Sequence, residues 1–182
     1  MAEAFSNKLT RAAGIVTTSS SGSIGITTTI ITGISTVGVA VSDLVDNTNF
    51  IAGTKVTGYG AAASQVVVDQ TSTNTAAVSG SAVVNFLGMT TAYTSAAGTK
   101  SILIGGTFAN NTSSSVNLTV EVHDASAGVQ AAIASKIPVP TGSSFVISDA
   151  GKSVLEAGDE VRVFCDTANA IDVNLSILTG VS

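Results

Sequence analysis

Side chains able to do acid–base, nucleophilic or metal chemistry are scarce in this sequence. Of its 182 residues 10% are charged, against roughly 25% in ordinary soluble domains. The chain holds one histidine, one cysteine and no tryptophan. His123 falls on the polar positions of an alternating segment beside Asp124, with no signature of a nucleophile that an imidazole would orient. We therefore expect no catalytic residues, and we predict that His123 is an exposed or interfacial structural residue.

Metal and cofactor sites are not expected either. One histidine and Cys165 cannot supply the three or four ligands of a zinc site. Cys165 continues the alternate apolar positions Val161 and Val163, which is typical of a buried structural thiol. Because it is the single cysteine, an internal disulfide is excluded. Calcium binding is the alternative for the carboxylates, but they follow no twelve-residue loop pattern and are typical of turns and strand ends. These carboxylates are Asp43, Asp46, Asp124, Glu156, Asp159 and Glu160.

Two glycine-rich stretches lack the features of a phosphate-binding loop. Neither Gly58-Tyr59-Gly60 nor Gly105-Gly106 is followed by a helix pattern or a Gly-Lys-Ser/Thr ending. They are typical of bulges, bends or places of close backbone approach.

Charge and hydropathy limit the partners. The formal net charge of −5 predicts repulsion of phosphate backbones, so nucleic acid is not an expected partner. Mean hydropathy is +0.49, but no segment approaches the roughly 18 consecutive apolar residues of a membrane-spanning helix. The N-terminal segment shows no signal peptide, so we expect synthesis in the host cytoplasm and no membrane partner.

Alternation of apolar and polar residues predicts β-strands. It is clearest at 116–123 and 171–178, where every second residue is apolar. Val129, Ile133 and Ile137 are spaced by four, which also suits a helix, although we favour a strand. Further strands are predicted at 24–34, 37–45, 54–59, 65–69, 82–87, 100–108, 144–147 and 160–165.

The predicted fold class is all-β. We expect an antiparallel, jelly-roll-like β-sandwich at 90–182, preceded by a smaller β-rich anchoring domain at 24–89 and an N-terminal arm or linker at 1–23. Within the arm, Phe5, Leu9 and Ala12 or Ala13 recur at helical spacing, which predicts a short helix before a flexible linker. A frayed terminus and a docking arm are both open for this segment.

Several segments of the C-terminal half carry a family resemblance. They are Tyr-Thr-Ser-Ala-Ala-Gly at 93–98, Ile-Leu-Ile-Gly at 102–105, Phe-Ala-Asn at 108–110, Ile-Pro-Val-Pro at 137–140, Gly-Ser-Ser at 142–144 and Val-Leu-Glu-Ala-Gly-Asp at 154–159. In these the chain resembles small β-sandwich virion proteins of tailed bacteriophages, especially marine cyanophages, as does Asn-Lys-Leu-Thr-Arg at 7–11 with Gly14 after it. The resemblance implies a virion component without catalytic residues; the inserted 24–89 segment departs from the simpler family pattern.

Together these features favour a structural function. We expect a non-enzymatic phage virion protein, a capsid decoration or neck/collar appendage anchored by its N-terminal region. Its partners would be itself, as a trimer or larger homo-oligomer, and other virion proteins of the capsid, neck or tail. The alternative is a tail-fibre or tail-tip module that binds host surface glycans, for which two Tyr and six Phe offer few aromatic platforms. A virion-embedded hydrolase is a third possibility, but no paired carboxylates support it.

Overall fold

The computed structural model describes residues 3–148 and 152–181, and over these residues the chain is built from strands and turns. No helix in the described ranges is long and apolar enough to cross a membrane. The strands of these ranges are β1 (Ala4–Ala13), β2 (Ile15–Ile24), β3 (Ile30–Thr32), β4 (Leu44–Asp46), β5 (Val56–Tyr59), β6 (Gln65–Val68), β7 (Val78–Gly88), β8 (Thr90–Thr94), β9 (Lys100–Asn110), β10 (Val116–Asp124), β11 (Val129–Val139), β12 (Ser144–Ile147), β13 (Ser153–Leu155), β14 (Glu160–Cys165) and β15 (Ile171–Val181). The all-β class is confirmed.

The chain divides into two compact units. One comprises Met1–Gly14 together with Thr90–Ser182, and the other is Ile15–Met89. The division between Met89 and Thr90 falls where the sequence predicts it, near 88–91. The second unit is therefore an insertion between the first strand of the other unit and its remaining strands.

The first unit is a sandwich of two antiparallel sheets with jelly-roll strand order. Sheet I has the order β1-β15-β9-β12, with β13 pairing with another part of β9, and sheet II has the order β11-β10-β14-β8. Along the chain the strands pass between the sheets as in a jelly roll, with β12 and β13 sharing one strand position.

Alternating side chains of both sheets fill the core of the jelly roll. Leu103 and Leu175 contribute from sheet I and Leu118 and Val163 from sheet II, all fully buried. Because successive side chains of a strand point to opposite faces, this inner set leaves the intervening residues on the outer faces.

The N-terminal arm predicted at 1–23 is not found over the described residues. β1 is an edge strand of sheet I, paired antiparallel with β15. The predicted short helix is wrong because a spacing of four, as between Phe5 and Leu9, also fits the two-residue period of a strand. The residues of β1 on the core-facing side of sheet I are polar: Lys8 is opposite Leu175 and Thr10 is opposite Val173. The sequence of β1 therefore lacks the apolar alternation by which a strand is usually recognised.

The predicted linker is also a strand. β2 pairs with both β7 and β3, although its centre is a run of serines and threonines. Ser19 is buried and accepts a hydrogen bond from the backbone N–H of Ser35 at 2.8 Å. At Gly22 an added Cβ would lie 2.5 Å from the Ile34 side chain. Small residues therefore suit both positions in the sheet, Ser19 and Gly22, where a larger apolar side chain would not fit.

The inserted unit is a small closed barrel. Its sheet has the order β4-β7-β2-β3-β6-β5, and hydrogen bonds between 42–45 and 54–56 join the two ends. Val45 N–H donates to the Thr54 carbonyl at 2.8 Å, and Val56 N–H donates to the Asp43 carbonyl at 2.9 Å. Closure pairs both ends of the sheet around an apolar core that includes Ile31 and Phe86.

Two predicted strands are much shorter than expected. The 24–34 segment is broken by a turn, so that β2 ends at Ile24 and β3 covers Ile30–Thr32. In 37–45 turns at 37–38 and 41–42 interrupt the segment, and the paired strand is Leu44–Asp46. Asp43 stabilises one of these turns, since its carboxylate accepts a hydrogen bond from the Ala40 N–H at 2.8 Å. The preference for a strand at 129–137 is confirmed by β11.

Candidate functional site

His123 lies on the outer face of sheet II, half-buried near the end of β10. In register it is opposite Glu160 on β14 and Gln130 on β11. The Glu160 carboxylate forms an ion pair with Arg162, whose Nε donates a hydrogen bond to it at 2.7 Å. The cross-strand neighbours of His123 are therefore an ion-paired carboxylate and an amide, neither of which is a nucleophile that an imidazole activates.

Cys165 is the buried thiol that its sequence context predicts. It ends β14 with no exposed surface, and it is not in a disulfide. Burial raises the pKa of the Cys165 thiol to about 11. Because the thiolate is the reactive form, this environment suits packing and not nucleophilic chemistry.

Three of the singled-out carboxylates bind turn backbone. Asp159 is buried and accepts hydrogen bonds from the Ala125 and Glu156 N–H groups at 3.0 and 2.9 Å. Asp124 accepts bonds from Ala127 and Ser126 that lower its pKa. At Asp43, desolvation by burial raises the pKa, and the Ala40 N–H opposes this shift.

The other carboxylates singled out in the sequence lie in ion pairs or at a strand end. Glu156 forms an ion pair with Lys100 at 3.1 Å, and Glu160 pairs with Arg162. Asp46 lies at the end of β4. Over 3–148 and 152–181 there is no group of three His, Cys, Asp or Glu residues that could hold a metal ion.

The glycine pair Gly105-Gly106 lies at a β-bulge, one of the outcomes predicted for it. The register with β15 shifts between the Ser176–Gly105 and Ile177–Leu103 pairs, so β9 holds one extra residue there. A Cβ at Gly105 would lie 2.8 Å from the Ile147 carbonyl oxygen. The bulge needs a residue without a side chain because the backbone of the neighbouring strand β12 lies this close to it.

An apolar row crosses the outer face of sheet I from edge to edge. Phe5 on β1 is opposite Leu178 on β15, Leu178 is opposite Ile102 on β9, and Ile102 is opposite Val154 on β13. We call these four residues the outer row. Its ends are the most exposed members, with 63% of Phe5 and 59% of Val154 accessible. At about 4.8 Å between strands the row is about 14 Å long.

A groove lies on the same face beside the outer row. Its volume is about 290 Å³, and Phe5, Ile104 and Val146 line it, with Gly105 and Gly106 also in its lining. Val146 is 56% exposed. Because Gly105, which is opposite Ser176 on this face, carries no side chain, the face is recessed between its large apolar groups.

The charges on this face are balanced and lie at its two ends. Arg11 and Asp172 line a second depression at one end. The Lys100–Glu156 ion pair occupies the other end. Between these two ends the face carries apolar side chains and uncharged polar ones, among them Asn174 and Ser176. The charged groups lie at its margin, as in the rim of protein interfaces.

Sequence reasoning misses this face. Phe5 lies in the segment predicted to form an arm, and Val154 lies outside every predicted strand. The one available signal, the four-residue spacing of Phe5 and Leu9, fits a helix as well as a strand. Only the pairing of four strands that are distant in the sequence brings the outer row together.

Comparison with known proteins does not assign the chain to a family: no protein-family model, curated protein or solved structure matches it.

Proposed function

We propose that this chain is a structural protein of a bacteriophage particle, a homo-oligomeric capsid decoration or neck appendage. The observation that carries the proposal is the outer face of sheet I, where a jelly roll leaves an apolar row and a groove accessible. Contiguous exposed apolar surface of this kind marks interaction sites. The resemblance of 93–159 to small virion sandwiches supplies the biological setting.

The chemistry of the described side chains supports an architectural function. Glu160 is engaged in an ion pair, Asp159 and Asp124 hold turns, and the Cys165 thiol is buried with a raised pKa. These groups stabilise local structure, and the same groups would be required for hydrolysis or metal binding. An assembly function requires none of them to be free.

The inserted barrel is the better candidate for the anchoring part. Residues 4–13 belong to the jelly roll as β1, so they do not form a free arm. The barrel is inserted in the chain between β1 and β8. In the proposal the barrel contacts a capsid or neck protein and the jelly roll mediates contacts with further copies.

The test is the composition of purified particles. We expect the protein to travel with infectious particles through a density gradient and to be detected in them by mass spectrometry at a constant ratio to the major capsid protein. The control is free protein added to a lysate of uninfected cells, which contains no particles, and there the protein should stay at the top of the gradient. Absence from particles would contradict the proposal.

The glycan-binding alternative has less support. Among the described residues, the aromatic rings with more than half of their surface exposed are Phe5 and Tyr59, and they lie in different units. A sugar platform needs a ring with polar groups around it. Specific binding on a glycan array, with block of phage adsorption by the isolated protein, would favour this alternative over the structural function.

A further inference from the structure

We propose that two copies of this chain pair through the outer faces of sheet I, with Phe5 of each copy seated in the groove of the other. This inference deepens the proposed function by naming its first partner, a second copy, and rests on the self-assembly part of it. The face-to-face pair would be the unit from which larger assemblies are built through other surfaces.

The face has the size of an interface between two copies. Four strand positions about 4.8 Å apart and the eleven residues of β15, at about 3.3 Å per residue, give an area of about 700 Å². Two such faces amount to about 1,400 Å², within the range of specific protein–protein contacts. A smaller partner, such as a peptide strand, would leave most of the outer row exposed.

The face is complementary to itself in shape. Phe5 projects from the β1 edge, and the groove is lined on its far side by Ile104 and Val146, with Gly105 between the large groups. A two-fold axis relates the same patch on both copies, so one projection and one recess on a single face satisfy each other twice. A protein that binds only once would need a matching recess and projection of its own.

The charges also favour a second copy. Each chain has a net charge of −5, so copies repel each other through most surfaces. On this face Arg11 faces the same depression as Asp172, and Lys100 is bound to Glu156. When two copies associate through this face, neither brings an excess of like charge to the interface. With the two faces related by a two-fold axis, the apolar centre of one copy lies against the apolar centre of the other.

The exposed valines in the turn-rich segment of the inserted barrel do not form such a surface. Val37 and Val41 on the inserted barrel are exposed, but they lie in the turn-rich segment between β3 and β4. They give no extended flat face that a copy of the same chain would match. This makes Val37 a suitable control position.

The first experiment measures the association of the full-length chain by sedimentation equilibrium. We expect a concentration-dependent dimer for the unchanged chain. Phe5→Asp and, independently, Val154→Asp on the opposite edge should each weaken dimerisation by about tenfold or more. Each variant removes an apolar group that the dimer interface would bury and introduces a charge there. Val37→Asp should leave it unchanged. Circular dichroism and thermal unfolding show that each variant is folded.

The second experiment tests the seating of Phe5 directly. In the double variant Phe5→Cys, Val146→Cys the two thiols of one chain are separated by two intervening strands, at least about 14 Å, which is too far for a disulfide. We expect oxidation to give a covalent dimer of the double variant, and little product from either single variant. Cys165 is buried and does not compete.

Three results would overturn the inference. They are a monomer at all concentrations, a dimer that survives both Phe5→Asp and Val154→Asp, and a trimer without the covalent dimer in the double variant. Each is independent of the particle analysis, because a protein found in purified particles can still fail to pair through this face. Conversely, a dimer formed as described would stand if the protein were absent from particles.

Discussion

The side-chain amide of Asn110 joins the two sheets of the jelly roll by donating a hydrogen bond to the Val139 carbonyl at 2.9 Å. Asn110 ends β9 in sheet I, and Val139 ends β11 in sheet II. The same amide donates to the Ser114 carbonyl, while its oxygen accepts from the N–H of Thr112. One buried residue thus closes one end of the sandwich.

Replacing Asn110 should destabilise the protein strongly. Asn110→Ala removes a buried hydrogen bond to the Val139 carbonyl and a part-buried one to the Ser114 carbonyl, so we expect a loss of about 2–4 kcal/mol in the free energy of unfolding. Asn111→Ala is the matched control, because Asn111 makes an exposed bond of 3.3 Å to Asp172, and we expect about 0.5 kcal/mol or less. Urea denaturation measures both. Equal losses for the two variants would contradict the bridging function.

A side chain at Gly14 should not be tolerated. Gly14 has φ of +119°, and an added Cβ would lie 2.6 Å from the Thr167 carbonyl oxygen. We expect Gly14→Ala to cost about 2 kcal/mol or more. Gly58→Ala is the control, since Gly58 has ordinary backbone angles and an added Cβ there would have nothing within 4 Å. Thermal denaturation measures both variants. An unchanged melting temperature for Gly14→Ala would show that the backbone between β1 and β2 is not constrained at Gly14.

Two carboxylates three residues apart should differ sharply in their contribution to stability. Asp159 is buried and accepts two backbone N–H bonds, whereas Glu156 pairs with Lys100 at about half exposure on both side chains. We expect Asp159→Asn to lower the free energy of unfolding by about 1–3 kcal/mol and Glu156→Gln by about 0.5 kcal/mol or less. Chemical denaturation at neutral pH measures the two variants, and the reverse order would contradict these assignments.

The thiol of Cys165 should make stability fall at high pH. Folding raises its pKa from 9.0 to about 11, so between these values the folded chain keeps a proton that the unfolded chain has lost. The folded state then binds more protons, and the free energy of unfolding decreases as pH rises through this window. Below pH 9 this contribution is fully present.

Comparison with Cys165→Ala isolates that contribution from other titrating groups. We expect the difference in unfolding free energy between the unchanged chain and the variant to be constant up to about pH 9 and to shrink toward about pH 11. In the native state the thiol should also resist a disulfide reagent near pH 8 until denaturant is added. A difference that stays constant throughout would mean that the thiol titrates normally.

The strands that the sequence predicts best have an apolar face toward the core and a mostly polar face away from it. At 116–123 and 171–178 the core takes every second residue, and the positions between them are polar apart from Leu178, so the two-residue period is visible even though Thr119 and Glu121 are buried. β1 is not predicted as a strand because its core-facing residues, at the edge of the sheet, are polar. β2 is not predicted because Ser19 and Gly22 have close neighbours in the sheet, where only small residues fit.

The sequence by itself determined the class of the fold and the scarcity of chemistry, because alternation and composition are properties of neighbouring residues and of their number. It also located one domain boundary, near residue 89. Only the tertiary structure decided that β1 belongs to the C-terminal jelly roll, that the intervening barrel closes, and that Phe5 and Val154 lie on one face. These features depend on pairings between residues far apart in the chain, and local patterns carry no information about which distant strand completes a sheet.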